Sequence, residues 1–76
     1  MLTKMVVYNC KEAAIQKDPT DPDLLDVEIG EVKAGTEIMV DTSRIYWSWN
    51  DKQYYKCDFG PNPEEGYIST GVVKVV

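Results

Sequence analysis

The sequence contains no histidine, one arginine and two cysteines in 76 residues, and each scarcity removes a class of function. Histidine is the side chain whose ordinary pKa lies nearest neutrality, so without it the usual acid–base and nucleophilic routes lack their base. Ser43, Ser48 and Ser69 therefore have no triad partner. The pairs Glu64-Glu65 and Asp21 with Asp23 are the remaining carboxylate candidates. A chain this short has little room for a catalytic cleft around either pair, and the expectation is that it is not an enzyme. Structural zinc needs about four ligands, which two cysteines without histidine do not supply, so neither metal nor cofactor is expected. Cys10 and Cys57 are expected as buried free thiols behaving like small hydrophobes, since a reducing compartment disfavours a bridge between them.

Positive charge is equally sparse. Seven lysines at 4, 11, 17, 33, 52, 56 and 74 and the lone Arg44 form no basic stripe, and thirteen acids leave a net charge of −5. Nucleic-acid binding draws most of its affinity from clustered basic residues, so neither nucleic acid nor an anionic membrane is an expected partner. No apolar run approaches the roughly 20 residues of a spanning helix, and nothing in Met1 to Tyr8 resembles a targeting signal. A cytoplasmic product as synthesised is the expectation.

What the sequence does have is β-forming character. Nine valines, five isoleucines and five threonines favour pleated, half-buried surfaces. One domain over residues 1–76 is expected, with a small core, because a chain of this length buries only about 60% of its unfolded surface. Met5-Val6-Val7-Tyr8 reads as a first strand. Lys11 to Gln16 has helix-forming composition, but Pro19 and Pro22 leave it too short, and an extended segment entering the Asp18–Asp23 loop is expected. Val27, Ile29 and Val32 near-alternate with acids, and Gly30 suggests a bulge. Lys33-Ala34-Gly35-Thr36 reads as a tight turn into Glu37–Val40, making those two strands a hairpin. Asp41-Thr42-Ser43 then separates off a second hairpin, Arg44–Trp49 with Gln53–Phe59, turning at Asn50-Asp51-Lys52. Gly60–Pro63 breaks the chain before short strands at Glu64–Ile68 and Val72–Val76. Five to seven short antiparallel strands with regular turn signals fit an all-β small barrel.

The acidic loop Asp18, Asp21, Asp23 and Asp26 fails the EF-hand pattern, with Asp23 at the loop's glycine position and Ile29 at its final glutamate position. It reads as a solvated turn. Pro19-Thr20-Asp21-Pro22 is formally a PxxP string, and the same turn reading applies to it.

The segment Val27-Glu28-Ile29-Gly30-Glu31-Val32-Lys33-Ala34-Gly35-Thr36-Glu37-Ile38-Met39-Val40 resembles the hallmark stretch of bacterial SH3-like (SH3b) domains: an apolar residue, Ile, Gly, two variable positions, Lys, a small or basic residue, Gly, Thr and alternating apolars. Ala13 to Thr20 is similar to the family's first motif, Tyr54-Tyr55-Lys56-Cys57 to its Trp-Tyr-Lys-Val, Glu65-Gly66-Tyr67-Ile68 to its Gly-Tyr-Val, and Val72-Val73 to its closing strand. The likeness covers residues 13–76, with 1–12 as an N-terminal strand and lead-in. The arginine and glycine of the first motif are Gln16 and Asp18 here, and Asp41 to Gln53 is longer and more aromatic than usual. No Ala-Leu-Tyr-Asp-Tyr string and no Trp-Trp pair is present, so proline-rich peptide recognition is not implied. The resemblance implies an SH3-like barrel acting as a binding module for a peptide, peptidoglycan or protein partner, through a groove of aromatic and polar side chains beside the first loop.

The aromatic residues are the positive evidence for binding. Tyr46, Trp47, Trp49, Tyr54 and Tyr67, with Asp18 from the first loop, are the candidate ligand-binding residues, since tryptophan and tyrosine offer broad contact area with a polar handle. Alternation places Trp47 and Trp49 on one face and Tyr46 and Ser48 on the other. Two arrangements stay open: an exposed aromatic groove, or Trp47, Trp49 and Tyr55 completing the core with Tyr46 and Tyr54 outside. Two functions stay open likewise. The first is the binding module, whose acidic surface favours a cationic or amine-bearing partner. The second is a small structural protein of a larger assembly, such as a bacteriophage virion or a prophage-encoded complex. Six of the thirteen acids lie between Asp18 and Glu31, so the negative charge belongs to one side of the domain.

Overall fold

Alternating apolar and polar residues, interrupted by turn-forming ones, form seven strands among the described residues. The structure, a computed structural model, describes residues 2–24, 27–58 and 65–76. The strands are β1 (Leu2–Val7), β2 (Glu12–Gln16), β3 (Glu28–Lys33), β4 (Glu37–Trp47), β5 (Gln53–Asp58), β6 (Glu65–Ser69) and β7 (Val73–Val75), with one turn of 3-10 helix at Thr70–Val72. All pairings are antiparallel, in the order β3-β2-β6-β5-β4-β1-β7. The all-β expectation holds. The edges β3 and β7 do not pair with each other, so the sheet is not closed.

Period-two alternation carries one residue set from every strand inward. Met5 and Val7 of β1, Ala13 and Ile15 of β2, Val32 of β3, Ile38 and Val40 of β4, Cys57 of β5, Ile68 of β6 and Val73 of β7 form a single buried cluster. A flat sheet, with strands about 4.8 Å apart, cannot bring both edges into one core. The sheet must therefore curl over its own inner face, and principal extents of 31 × 25 × 22 Å agree with that.

Local propensity yields to packing at β2. Its Glu12, Ala13, Ala14 and Gln16 are acceptable in a helix, but Ala13 and Ile15 are both buried at strand spacing. The extended reading of this segment is correct. Opposite Ile15 and Gln16, β3 shifts register so that Gly30 and Glu28 are the partners and Ile29 is the extra residue, the bulge that Gly30 suggested.

Two expectations about strand pairing need correction. Residues 33–36 do form a turn, with Thr36 N–H donating to Lys33 O at 3.1 Å and Gly35 at φ 88°. The strands on either side, however, are not a hairpin: β3 pairs with β2, and β4 pairs with β1 and β5. The reason lies in the turn's other hydrogen bonds. Gly35 N–H donates to Val7 O at 2.8 Å, Val7 N–H to Thr36 O at 2.9 Å and Ala34 N–H to Lys11 O at 3.0 Å, so the chain is led onto β1 and not back along β3. The second correction is that Asp41-Thr42-Ser43 is no connector but lies within an eleven-residue β4. Asp41 pairs with Lys56 and Tyr46 with Tyr54, so β4 bulges over 42–45 while remaining one strand. The Asp41 carboxylate accepts from Ser43 Oγ at 2.6 Å and from Ser43 N–H at 3.0 Å. These two bonds hold its pKa down at about 2.

The hairpin of β4 with β5 forms as expected, and β6 follows. Phe59, the Gly60–Pro63 breaker, Glu64 and Asp26 lie outside the described residues. Val72 belongs to the 3-10 turn, which shortens the last strand to Val73–Val75. Both cysteines are free thiols. Cys57 is buried, but Cys10 is only half-buried against the core edge, which corrects the expectation of two buried thiols. Burial, with Asp58 adding to it, pushes the Cys57 thiol up to about 12, so it stays protonated and inert at neutral pH.

The two halves of the sheet meet at a narrow seam. β2 and β6 share one Cα pair, Gln16 with Tyr67. Beside it is Gly66, where an added Cβ would run into Cγ2 of Ile15 and stand 3.2 Å from Ile29 Cδ1 and 3.3 Å from Gln16 O. Glycine is required there by close approach of the strands.

Candidate functional site

The candidate residues do not form one groove. Residues directly opposite in an antiparallel pair point to the same side, and neighbours along a strand point to opposite sides. Tyr46 pairs with Tyr54, and the next pair out is Trp47 with Gln53. The tyrosines and Trp47 consequently sit on opposite faces of the hairpin.

The first set lies on the outer face. Tyr46 and Tyr67 meet edge to face, centroids 5.1 Å apart at 78°, and the Arg44 guanidinium lies 4.7 Å from the centroid of the Tyr46 ring. Tyr54, opposite Tyr46, is only 8% exposed, although it does not belong to the inner core cluster. Lys56, opposite Tyr67, bonds Glu65 at 3.0 Å, and this partner raises the Lys56 pKa. Burial raises the Tyr67 pKa, with Lys56 opposing and Asp18 reinforcing the shift. Rings, cations and carboxylates here are already paired with one another. This cluster has the character of a second, outer packing layer.

The second set stands at the hairpin tip. Trp47 and Trp49 are 55% and 67% exposed, so the arrangement with both tryptophans in the core is overturned. Tyr55 does pack against the core, whereas Tyr54 is buried and not outside as that arrangement had it. The tryptophans remain out because the strand pairing ends at Trp47, beyond the reach of the curled sheet, and Trp49 falls within the turn.

The tip is nevertheless rigidly built. Ser48 is buried at its base, and its backbone N–H donates to Lys52 O at 2.9 Å. Its hydroxyl accepts from Lys52 N–H at 3.0 Å and donates to Asn50 Oδ1. Asp51 N–H closes the turn onto Ser48 O at 3.1 Å. A buried hydroxyl with both capacities used fixes the loop, since leaving such a group unpaired costs about 1–3 kcal/mol. The loop is also tied sideways: Trp49 Nε1–H donates to Thr20 O at 2.8 Å, joining the tip to the first loop across 29 residues of sequence.

That first loop is itself held by local bonds. The Asp18 carboxylate accepts from Thr20 N–H at 3.0 Å and from Thr20 Oγ1, and the Asp21 carboxylate accepts from Asp23 N–H at 2.9 Å. These are turn-forming roles, as the solvated-turn reading had it. Asp18 therefore shapes the loop carrying Thr20 and does not itself line the tip. Between loop and tip is an open cleft of about 360 Å³ lined by Thr20, Trp47, Ser48, Trp49 and Asp51. Sequence reasoning named the two tryptophans but not Thr20, Ser48 or Asp51. Asn50-Asp51 was legible as turn chemistry, and only the fold reveals that the same turn forms a cleft wall.

A further depression of about 200 Å³ on the outer face is lined by Leu2, Asp41, Lys56, Cys57, Asp58 and Glu65. Its charged groups include the Lys56–Glu65 ion pair and Asp41, already bound to Ser43. Comparison of the chain with protein-family models, with curated proteins and with solved structures found no match.

Proposed function

We propose that this chain is a non-enzymatic binding module of the bacterial SH3-like type, its curled sheet a small barrel, which holds a peptide segment of a cell-wall or protein partner on the Trp47–Trp49 tip. The observation that carries this reading is the cost of the tip. Two large indoles stand mostly in water, which the hydrophobic effect opposes, on a turn whose hydrogen bonds keep them from folding inward. A preorganised aromatic surface loses little entropy on binding, and tryptophan is among the residues that most often dominate contact energy. The outer tyrosine layer supports the hairpin from its other face. The inner face from all seven strands favours the barrel, and the motif order from Ala13 to Val73 favours the SH3-like type.

The experiment is co-sedimentation of the purified protein with peptidoglycan, comparing wild type with Trp47→Ala, Trp49→Ala and Tyr46→Ala. The expected result is that wild type and Tyr46→Ala pellet with the wall while both tryptophan variants stay in solution, with binding weakened at least tenfold, as loss of about 1.4 kcal/mol or more at a contact hot spot requires. Equal behaviour of all four proteins overturns the tip assignment, and a wild type that remains in the supernatant removes the wall as partner.

The assembly reading is favoured by one separate observation. Among the described residues neither β3 nor β7 has a strand on its outer side, and β3 presents exposed Ile29 beside exposed Val27. Glu28, Glu31 and Lys33 on the same edge guard it against indiscriminate pairing. An edge-mediated assembly would survive Trp47→Ala and Trp49→Ala, which separates it from the module.

A further inference from the structure

Among the described residues, Asp51 is the one acidic residue lining the tryptophan cleft, and its carboxylate has no hydrogen-bond or ion-pair partner there. The contrast with the first loop is direct: its Asp18 and Asp21 carboxylates are spent on hydrogen bonds within that loop. Asp51 also holds the left-handed backbone region, φ 62°, which glycine, asparagine and aspartate enter more readily than other residues. The turn thus brings an unpaired negative charge to a cleft lined by two indoles.

The surroundings agree in sign. No basic residue lines the cleft, and Lys52, next in sequence, is exposed outside it. The loop that supplies Thr20 also carries the acidic Asp18, Asp21 and Asp23, which adds negative charge beside a lining that has no basic residue. A positive group over an indole is further drawn by the ring quadrupole, most strongly for tryptophan. Thr20 O is already occupied by Trp49, and its hydroxyl by Asp18, which leaves π surface and the Asp51 carboxylate as the means of recognition.

We propose that the Trp47, Trp49 and Asp51 cleft receives the ammonium or guanidinium head of a basic side chain on an exposed segment of a protein partner. This rests on the binding-module reading and adds the chemistry of the group recognised. An open cleft of about 360 Å³ suits a single long side chain and is too small for a folded element.

The chain's two tryptophans both line the cleft, so tryptophan emission, excited at the red edge where its five tyrosines do not absorb, reports the site. The probe is a capped pentapeptide with a central lysine flanked by glycine and serine, titrated at physiological salt against the same peptide with Nε-acetyl-lysine. Saturable change in emission with the lysine peptide is expected, with the acetylated peptide weaker by about tenfold. Asp51→Asn keeps a residue suited to the left-handed turn and removes the charge, and is expected to weaken binding about fivefold. Glu12→Gln removes the same charge at the exposed end of β2 away from the loop, and is expected to change binding less than about twofold because salt screens it. Asp51→Gly is expected to lose binding likewise while its melting temperature does not fall, which separates function from folding.

Equal weakening by Asp51→Asn and Glu12→Gln means attraction by net charge alone and overturns the proposal. So does indifference to lysine acetylation, or absence of any saturable signal. If the protein ignores the lysine peptide yet sediments with peptidoglycan through its tryptophans, the charge recognition fails and the module reading stands. If tryptophan substitution has no effect in either experiment, both fail.

Discussion

Replacing Gly66 by alanine is expected to lower the melting temperature by roughly 10–20 °C, at about 4–8 °C for each kcal/mol lost in a domain of this size. The new methyl group would occupy the space of Ile15 Cγ2, and Ile15 is fully buried, so it has no solvent to retreat into. On its other sides are Ile29 Cδ1 at 3.2 Å and the backbone oxygen of Gln16 at 3.3 Å. Flexible side chains yield cheaply, but a strand backbone does not. Overpacking typically costs about 1–3 kcal/mol, and the seam between β2 and β6 has a single Cα pair with which to resist separation. A domain of 76 residues has a total stability of roughly 4–11 kcal/mol, so such a loss is a large fraction of it. Thermal unfolding followed by circular dichroism measures the shift. Ile15→Ala removes the obstructing methyl, so the double variant should be less destabilised than the two single changes added together. Strict additivity would contradict the steric account.

Truncation of Ile68 to alanine is the second large effect, with an expected loss of about 2–5 kcal/mol. Ile68 is fully buried on β6, opposite Tyr55, in the cluster to which all seven strands contribute. The cluster holding Ile68 lies on the inner face of one curled sheet and the tyrosine layer lies on the other face, so no second layer can slide into the vacated space. The cavity would then remain largely open, which puts the cost toward the upper part of that range. Urea denaturation should move the midpoint to lower concentration with little change in slope, because the surface exposed on unfolding is nearly the same. A loss below about 1 kcal/mol would mean that the core is loosely packed.

The difference between these core residues and the tryptophans shows what could be read from the chain alone. Alternation is a statement about two faces: the segments holding Val7, Ile38, Val40 and Ile68 read as strands, and those residues turn inward in the fold. It does not say which face is covered. Trp47 has the parity of the inner face by its pairing with Gln53, yet it is exposed because the sheet does not extend over the hairpin tip. Nothing local encodes how far a sheet curls.

Turns were legible where their chemistry is local, at Gly35 and at Asn50–Lys52. Strand partners were not, because the bonds from residues 34–36 to Val7 and Lys11 link segments far apart in sequence. The same applies to the Trp49–Thr20 bond, which makes a cleft out of two separate loops. Asp41 to Ser43 has the composition of a connector and forms the local hydrogen bonds of one, yet strand pairing resumes at Tyr46 and β4 stays one element. Ser48 was unremarkable in sequence, since serine is mostly exposed, and its burial follows from the demand of the Lys52 and Asn50 groups for a partner.

The central claim is that contact with a partner occurs at the tryptophan tip and not on the tyrosine face or the sheet edges. Its most direct test is residue-resolved NMR of the isotope-labelled protein titrated with soluble peptidoglycan fragments and with the lysine pentapeptide. The largest shifts are expected at Thr20, Trp47, Trp49 and Asp51, including the Trp49 indole N–H that bonds Thr20 O. Shifts centred on Tyr46, Tyr67 and Lys56, or along β3, with the two indole resonances unmoved, would contradict it.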